Sequence, residues 1–262
     1  MHTDAIYLPY YIIPSTQHKQ IRNKLIKNKA MVSKVDKGNS IVILYQDEYN
    51  RKVEDFISNN NFTTANTDIT KNLQREIRNT VNNCQSVIYR SEKWKYVNLN
   101  PTAPTLKGLV NIHKEDTSIR PIKNCKNSPG YKLAKILAEK LTSHTPLPFT
   151  YNVTNTVQLM NDLTGIPYGH NIKLASLDIS SMYSNILTKD LMTILRDLYE
   201  KNNIDEKTTQ DITRIAQTLI GQNYFRFRDT IYIQNEGLAM GDPTSSILSE
   251  VSLQYLENTT IY

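Results

Sequence analysis

The chain has 262 residues but only two cysteines, Cys84 and Cys125, which stand far apart and outside any Cys-x-x-Cys or Cys/His cluster. This scarcity disfavours a disulfide framework and a zinc site, and it favours a reducing, intracellular compartment. No apolar run approaches the roughly 20 residues that a membrane-spanning helix needs, so we expect no membrane partner. The N-terminal residues also lack the basic start and long apolar core of a signal peptide.

Acidic residues are scarce in the first part of the chain and basic residues in the second. Residues 1–150 carry 23 Lys and Arg against 12 Asp and Glu, and residues 151–262 carry 8 against 13. The first part is therefore net +11 and the second net −5. This split is typical of a protein whose basic part holds a polyanion and whose acidic part holds cations. Two ordinary solvated surfaces would give the same counts, so nucleic-acid binding is one of two readings of the charge alone.

Periodicity and turn residues predict alternating helices and hairpins. A basic helix is expected over residues 16–29, and a β-hairpin over Val32–Tyr45, where Gly38 can adopt the positive φ of a tight turn. Helices are expected over 46–58 and 68–82. Further along, the patterns predict strands around 108–112 and 118–123, and then a helix that opens at Ser128-Pro129 with the apolar stripe Leu133, Ile136, Leu137 and Leu141. They next predict a helix over 153–163 and two helices capped by Thr188 and Asp205. A hairpin over 223–234 that turns at Asp229 follows, and then a glycine-bearing loop that leads into an apolar helix.

Several cations stand where they could meet phosphate. Lys34 and Lys37 flank the predicted hairpin turn, where they could touch nucleic acid or simply be solvated. Arg120 precedes Pro121, which forces an extended backbone and presents the guanidinium as a rigid fork suited to phosphate. A surface ion pair is the competing interpretation of Arg120.

One carboxylate draws attention because of its surroundings. An alternating apolar run over residues 173–179 predicts a strand that ends at Asp178. A carboxylate at the end of a buried strand is costly unless it is bound, and a divalent metal is a suitable partner. The sequence therefore predicts that Asp178 lies at the centre of a site.

Four stretches in this order resemble a reverse transcriptase, most closely that of Penelope-like retroelements. They read VSKVDKGNSIVIL, then LVNIHKEDTSIRPI followed by SPGYKLAKILAEKL, then SLDISSMYSNI, and finally GLAMGDPTSSILSEV. The resemblance implies an α+β fold with the fingers and an incomplete palm of a right-hand polymerase, built from an antiparallel sheet and packed helices. It implies three segments: a basic N-terminal extension over 1–100, fingers over 101–170, and a partial palm over 171–262.

The resemblance also implies roles for individual residues. Asp178 matches the first catalytic, metal-binding aspartate, and Ile179 would offer its carbonyl to Mg²⁺ or Mn²⁺. Tyr183 matches the aromatic placed under the incoming sugar. The partners implied are an RNA template, a DNA primer and deoxynucleoside triphosphates. Nucleotide-binding roles fall on Arg120, which would clamp the triphosphate with help from Lys107 or Lys114, and on Gly237 and Gly241 of the loop against the new base pair.

The sequence departs from the family pattern at three places. It has VNIHK where the family has PKIHK, and Asp242 where the family has a small residue, so that Asp242 either repels phosphate or points to solvent. No Asp-Asp pair occurs, so the Tyr-x-Asp-Asp turn that supplies the remaining metal ligands is missing. We therefore expect this polypeptide alone not to polymerise DNA. A non-catalytic nucleic-acid-binding protein derived from a retroelement is the alternative, and a metal-dependent nuclease is disfavoured because no second carboxylate cluster accompanies Asp178.

Overall fold

The computed structural model describes residues 15–112, 118–144, 153, 155–167 and 176–260. These residues form a mixed α and β structure, which agrees with the predicted α+β class, while the polymerase architecture stays a prediction. None of the described helices is long and apolar enough to cross a membrane. The helices are α1 (Ser15–Lys27), α2 (Gln46–Ser58), α3 (Thr70–Asn83), α4 (Lys93–Tyr96), α5 (Tyr131–His144), α6 (Thr156–Thr164), α7 (Met182–Asn185), α8 (Thr188–Lys201), α9 (Glu206–Ile220) and α10 (Ser245–Thr260).

The strands form two sheets. A two-stranded sheet pairs β1 with β2, and a five-stranded sheet has the order β3-β7-β6-β4-β5. All neighbours are antiparallel except β4 and β6, which run parallel and meet at Thr105 and Arg226. The strands are β1 (Ala30–Lys34), β2 (Ile41–Tyr45), β3 (Phe62–Ala65), β4 (Thr105–Val110), β5 (Ile119–Asn124), β6 (Tyr224–Phe227) and β7 (Thr230–Gln234).

The predicted hairpin over Val32–Tyr45 is confirmed. Strands β1 and β2 pair in antiparallel register, and Gly38 in the connecting turn has φ +89°. The end of this hairpin meets the larger sheet, because Val35 forms a β-bridge with Val110 and the Asp36 N–H donates to the Val110 carbonyl at 2.9 Å. The turn is therefore held beside the end of β4.

The second predicted hairpin, over residues 223–234, is also confirmed. Strands β6 and β7 are joined at Arg228 and Asp229, and Arg228 has φ +52°. The rings of Phe225 and Tyr232 stack across the pair with centroids 5.4 Å apart. Such cross-strand aromatic pairs are a main source of sheet stability.

The helix predicted to open at Ser128-Pro129 begins later, at Tyr131. The Ser128 N–H donates to the Cys125 carbonyl at 2.8 Å, so Ser128 still belongs to the turn that follows β5. Gly130 then passes close to α9, where a Cβ would lie 2.8 Å from a methyl carbon of Leu219. This turn aims α5 at the core, and three residues of its predicted stripe, Leu133, Leu137 and Leu141, are fully buried.

Both predicted caps of the later helices lie near helix starts, but only one acts as a cap. Asp205 accepts from the Thr208 N–H at 2.9 Å and caps α9 as expected. Thr188 is instead the first residue of α8, and the extended residue before it is Leu187. The Thr188 hydroxyl donates to the Glu236 carboxylate at 3.2 Å, which ties α8 to the residue before the glycine loop.

The cores draw on all parts of the chain. The largest joins α3, α4, α5, α8, α9 and α10, and a second lies between α2, the β1–β2 hairpin, β4 and β6. The five-stranded sheet takes β3 from the predicted segment 1–100, β4 and β5 from 101–170, and β6 and β7 from 171–262. The three predicted segments thus share one sheet and its cores.

Candidate nucleotide-binding site

The surroundings of Asp178 differ from the prediction. Residues 176–180 form no strand and are all exposed, and the side chain of Leu177 is 94% exposed. The predicted buried strand is therefore wrong over these residues, while residues 171–175 lie outside the described part of the chain. No described strand pairs with this segment, so its alternating pattern has no sheet to join. An exposed carboxylate keeps its hydration, and burial gives no reason for a bound cation at Asp178.

A tight turn follows Asp178 and carries Tyr183. Ser181 has φ +51°, and its carbonyl accepts from the N–H groups of Ser184 and Asn185 at 3.1 and 3.2 Å. The Asn185 side chain closes the turn by donating to the Ser180 carbonyl at 3.2 Å. Tyr183 is half-buried against the largest core, which is compatible both with a structural tyrosine and with the aromatic role implied by the resemblance.

The glycine loop, residues 237–241, is anchored to the Tyr183 turn at its first end. The Leu238 N–H donates to the Tyr183 carbonyl at 2.7 Å. Gly237 has φ +80°, and a Cβ there would lie 2.6 Å from the Ser184 carbonyl oxygen. Only glycine fits such an approach of two backbones.

The other end of the glycine loop is anchored to β5. The Lys123 N–H donates to the Met240 carbonyl at 2.8 Å, so the loop covers part of the free edge of this outer strand. Gly241 has φ +104°, and a Cβ there would collide with the Lys123 carbonyl oxygen. The sequence predicted glycines for close approach to a ligand, whereas the close approach in the structure is to the chain's own backbone.

A buried lysine braces the same loop. Lys123 is 7% exposed, and its ammonium donates to the Asn223 side-chain oxygen at 2.8 Å. The Asn223 amide in turn donates to the Gly237 carbonyl at 3.2 Å. Sequence reasoning missed Asn223, since a single asparagine before a strand carries no distinctive signal.

Asp242 has a role that the sequence did not suggest. Its carboxylate accepts from the Thr244 N–H at 3.0 Å and from the Thr244 hydroxyl at 2.6 Å. It therefore closes the turn before α10, where the free N–H groups of a helix start favour an acidic partner. The Asp242 side chain is therefore not free in solvent, while the repulsion of phosphate stays a prediction.

Arg120 and Lys107 share one face of the β4–β5 pair. Leu109 lies opposite Arg120 and Lys107 lies opposite Ile122, so the two cations are diagonal neighbours, and both are exposed. The Arg120 guanidinium contacts the Asp36 carboxylate at 3.1 Å, and the Asp36 side chain is only 3% exposed against 51% for Arg120. The predicted ion pair is thus present, while about half of the Arg120 side chain stays open to solvent.

The remaining predicted cations are only partly described. Lys34 and Lys37 are exposed on the hairpin whose turn carries Asp36. Because Asp36 binds Arg120, this turn lies next to the exposed face of β5. Lys114 lies outside the described residues.

An apolar groove of about 490 Å³ lies beside the Asp178 segment, between α7, α8 and α10. Ile179 lines it, together with exposed Leu187, Tyr255 and Leu256. Its charged lining residues are both acidic, Asp190 and Asp197.

The described residues do not complete a metal site. No group of three or more His, Cys, Asp or Glu side chains among them could hold an ion. Asp178 and the Ile179 carbonyl thus stay a predicted part of a site, and no chemical step through a metal follows from this arrangement.

Both cysteines are buried and free. Burial raises the pKa of the Cys84 thiol to about 12, with nearby Asp211 adding to the rise. Burial likewise raises the pKa of the Cys125 thiol to about 11. Neither thiol has the exposed, electropositive surroundings of a nucleophile.

No protein-family model matches this chain, and no curated protein matches it. The resemblance to reverse transcriptases therefore depends on the four sequence stretches and on the residues that they contain.

Proposed function

We propose that this chain is part of a retrotransposon reverse transcriptase of the Penelope-like type and binds an RNA template, a DNA primer and a deoxynucleoside triphosphate. The observation that carries the proposal is the double anchoring of the glycine loop. Its hydrogen bonds to Tyr183 and to Lys123, three residues after Arg120, bring together segments that are far apart in sequence and that carry residues which the resemblance assigns to one nucleotide site.

The exposed face of β4 and β5 is the part suited to a triphosphate. Arg120 and Lys107 lie there as diagonal neighbours, and guanidinium groups bind phosphate oxygens through paired N–H donors. Asp36 contacts one nitrogen of the guanidinium, and the Arg120 side chain stays 51% exposed. We assign Asp36 as a positioning residue that reduces the conformational freedom Arg120 would lose on binding.

Lys34 and Lys37 extend the same basic surface along the hairpin. Contacts of lysine with backbone phosphates supply affinity without sequence preference. We assign these two residues to the template–primer duplex, and the glycine loop with Tyr183 to the base and sugar of the nucleotide.

We expect no primer extension by this polypeptide with Mg²⁺ or Mn²⁺. Catalysis of phosphoryl transfer depends on charge stabilisation by bound metals, and the 262 residues contain no Asp-Asp pair. Synthesis that disappears in Asp178→Asn would overturn this part of the proposal while leaving the binding part intact.

Binding is tested with Arg120→Ala and a matched control. Arg228 is equally exposed, at 53%, and pairs with Glu54 at 2.7 Å, but it lies at the β6–β7 turn. Arg120→Ala should weaken binding of an RNA/DNA hybrid and lower the slope of log K against log salt by about 1, whereas Arg228→Ala should change neither. Equal effects of the two variants would remove the assignment.

A non-catalytic nucleic-acid-binding protein is the second candidate, favoured by the exposed position of Asp178. The two functions differ in their response to nucleotide. A polymerase-type site predicts that the complementary deoxynucleoside triphosphate tightens binding of the hybrid, because the nucleotide pairs with the template beside the primer end. A binding protein predicts no change on adding the nucleotide.

A further inference from the structure

The segment between α3 and β4 exposes large apolar side chains outside the candidate nucleotide-binding site. Tyr89 is 72% exposed, Trp94 71% and Leu99 71%. Trp94 is the single tryptophan of the chain. Tryptophan is highly buried on average, so an indole that lies this far in solvent is unusual in a folded chain.

The segment is nevertheless firmly attached to the fold. Ile88, Tyr96 and Val97 are buried in the largest core, at 1%, 6% and 8% exposure. Trp94 lies in the short helix α4, and these buried residues stand before and after it in the chain. The exposed rings are therefore displayed from a fixed backbone rather than from a free loop.

One face of α3 runs beside this segment. Gln74, Arg78 and Asn82 are four residues apart and share that face. The Gln74 amide donates to the Asn98 carbonyl at 2.7 Å, and Asn82 accepts from the Lys93 ammonium at both its carbonyl oxygens, at 3.1 and 3.2 Å. Arg78 lies between these two contacts and is exposed, so its charge faces the same side as the segment.

Cationic side chains lie within and beside this segment. Arg78 and Arg90 are exposed, and the Lys132 ammonium reaches the Val97 carbonyl at 3.4 Å. The carboxylate within the segment, Glu92, is engaged by Lys95 at 2.5 Å and by the Tyr96 hydroxyl at 3.3 Å. The patch thus combines exposed aromatic rings with exposed arginines.

We propose that Tyr89 and Trp94, with Arg78 and Arg90, form an aromatic platform that binds single-stranded nucleic acid. Bases stack on exposed rings whatever their sequence, while neighbouring cations hold the backbone phosphates. The aromatic platform shares no residue with the candidate nucleotide-binding site, and it does not depend on nucleotide binding at the glycine loop. A protein partner fits less well, because lysine is depleted in protein interfaces, whereas Lys93 and Lys95 flank Trp94 and Lys132 contacts Val97.

The single tryptophan provides a local readout in the full-length chain. Titration with an oligothymidine of about 16 nucleotides, near the upper site size of single-strand binders, should quench Trp94 fluorescence to saturation. Binding of a labelled copy of this oligonucleotide should weaken roughly 5- to 150-fold in Trp94→Ala and in Tyr89→Ala. Trp94→Phe should retain most of the affinity, because it keeps a stacking ring.

The controls separate the aromatic platform from other basic surfaces. Tyr255→Ala removes an exposed ring, 47% accessible, from the apolar groove beside Asp178 and should leave the affinity unchanged. Arg120→Ala should leave the quenching of Trp94 unchanged, even where it weakens binding of the RNA/DNA hybrid. Binding of the oligonucleotide without quenching, or equal losses in Tyr255→Ala and Tyr89→Ala, would overturn the proposal. Thermal melts of each variant should show that the fold is retained, because the replaced side chains are exposed.

Discussion

Gly241 and Gly38 both have a positive φ, but only Gly241 is crowded. A Cβ at Gly241 would collide with the Lys123 carbonyl oxygen, whereas nothing lies within 4 Å of a Cβ at Gly38. Alanine at either position has the backbone cost of left-handed conformation, about 1–2 kcal/mol. We therefore expect Gly38→Ala to lower the free energy of unfolding by about that amount and Gly241→Ala to lower it by more. Urea denaturation of the two variants measures the difference.

Gly165→Ala completes this series as a third variant. The nearest atom to a Cβ added at Gly165 would lie 3.8 Å away, and the backbone there has an ordinary negative φ of −79°. Its replacement should change the free energy of unfolding by less than about 0.5 kcal/mol. If Gly241→Ala were no worse than Gly38→Ala, the tight contact between the glycine loop and β5 would be wrong.

The buried thiols give a prediction about reactivity and pH. A pKa of about 12 for Cys84, against an ordinary value of 9.0, lowers its thiolate fraction about 1000-fold below pH 9. A chromogenic disulfide reagent should therefore modify Cys84 only slowly in the folded chain and rapidly in urea. Rapid modification of both thiols in buffer would contradict their burial.

The same shifts fix the direction of a stability change. A thiol whose pKa is higher in the folded state than in the unfolded state contributes stability below the unfolded value and loses it as pH rises. The stability contributed by Cys84 should therefore fall between about pH 9 and about pH 12. The stability contributed by Cys125 should fall between about pH 9 and about pH 11. The loss of stability above pH 9 should be smaller in Cys84→Ala than in the unmodified chain.

At the scale of elements, the glycine loop depends on the contact between Lys123 and Asn223. Asn223→Ala leaves a buried ammonium without the acceptor that it has at 2.8 Å. Loss of a hydrogen bond to a charged group costs about 1.5–3 kcal/mol, and we expect this range in urea denaturation. Lys123→Met removes the charge and keeps most of the side-chain volume. The free energy of unfolding of the double variant, Asn223→Ala with Lys123→Met, should therefore be higher than the sum of the two single effects predicts.

A double-mutant cycle over these two positions tests the idea directly. Residues in contact show coupling of about 0.5–3 kcal/mol, whereas distant residues are additive. Additive effects of Asn223→Ala and Lys123→Met would show that the contact does not brace the loop. Gly237, whose carbonyl accepts from Asn223, connects this cycle to the candidate site.

Local patterns predicted the elements well where the chain itself supplies the signal. The β1–β2 and β6–β7 hairpins have turn residues and alternating strands, and α2 buries Tyr49, Val53 and Ile57 at a spacing of four residues. The start of α5 was misplaced because Ser128-Pro129 has the chemistry of a helix start, while the position of Gly130 against Leu219 depends on tertiary packing. Such packing is absent from any local window.

Sequence motifs named the residues of the candidate site, but they did not give its geometry. The sequence placed Arg120, Gly237 and Gly241 in motifs, and the register of β4 and β5 puts Arg120 and Lys107 on one face. The contact of Arg120 with Asp36 joins residues more than eighty positions apart, so no local pattern indicates it. The strand predicted to end at Asp178 was wrong, because an alternating pattern forms a strand only where a partner strand exists to pair with it.

At the scale of the whole molecule, the two strands that link the other strands of the five-stranded sheet, β6 and β7, come last in the chain. In the order β3-β7-β6-β4-β5, β7 pairs with β3 and β6 meets β4, so β6 and β7 connect the earlier strands. The basic first part and the acidic second part are therefore interleaved in one sheet. The charge split in the sequence marks surfaces of a common fold rather than two separate bodies.

This topology predicts that the first two segments cannot fold alone. A fragment of residues 1–170 lacks β6 and β7, so β3 loses its partner and the apolar faces of α3 and α5 lose the cover of α9. Exposed strand edges and apolar surface favour aggregation over folding. We expect no cooperative thermal transition in this fragment by circular dichroism, in contrast to the full-length chain. A cooperative transition of the fragment would instead show that residues 1–170 are an autonomous domain, with the boundary near residue 170 that the resemblance implies.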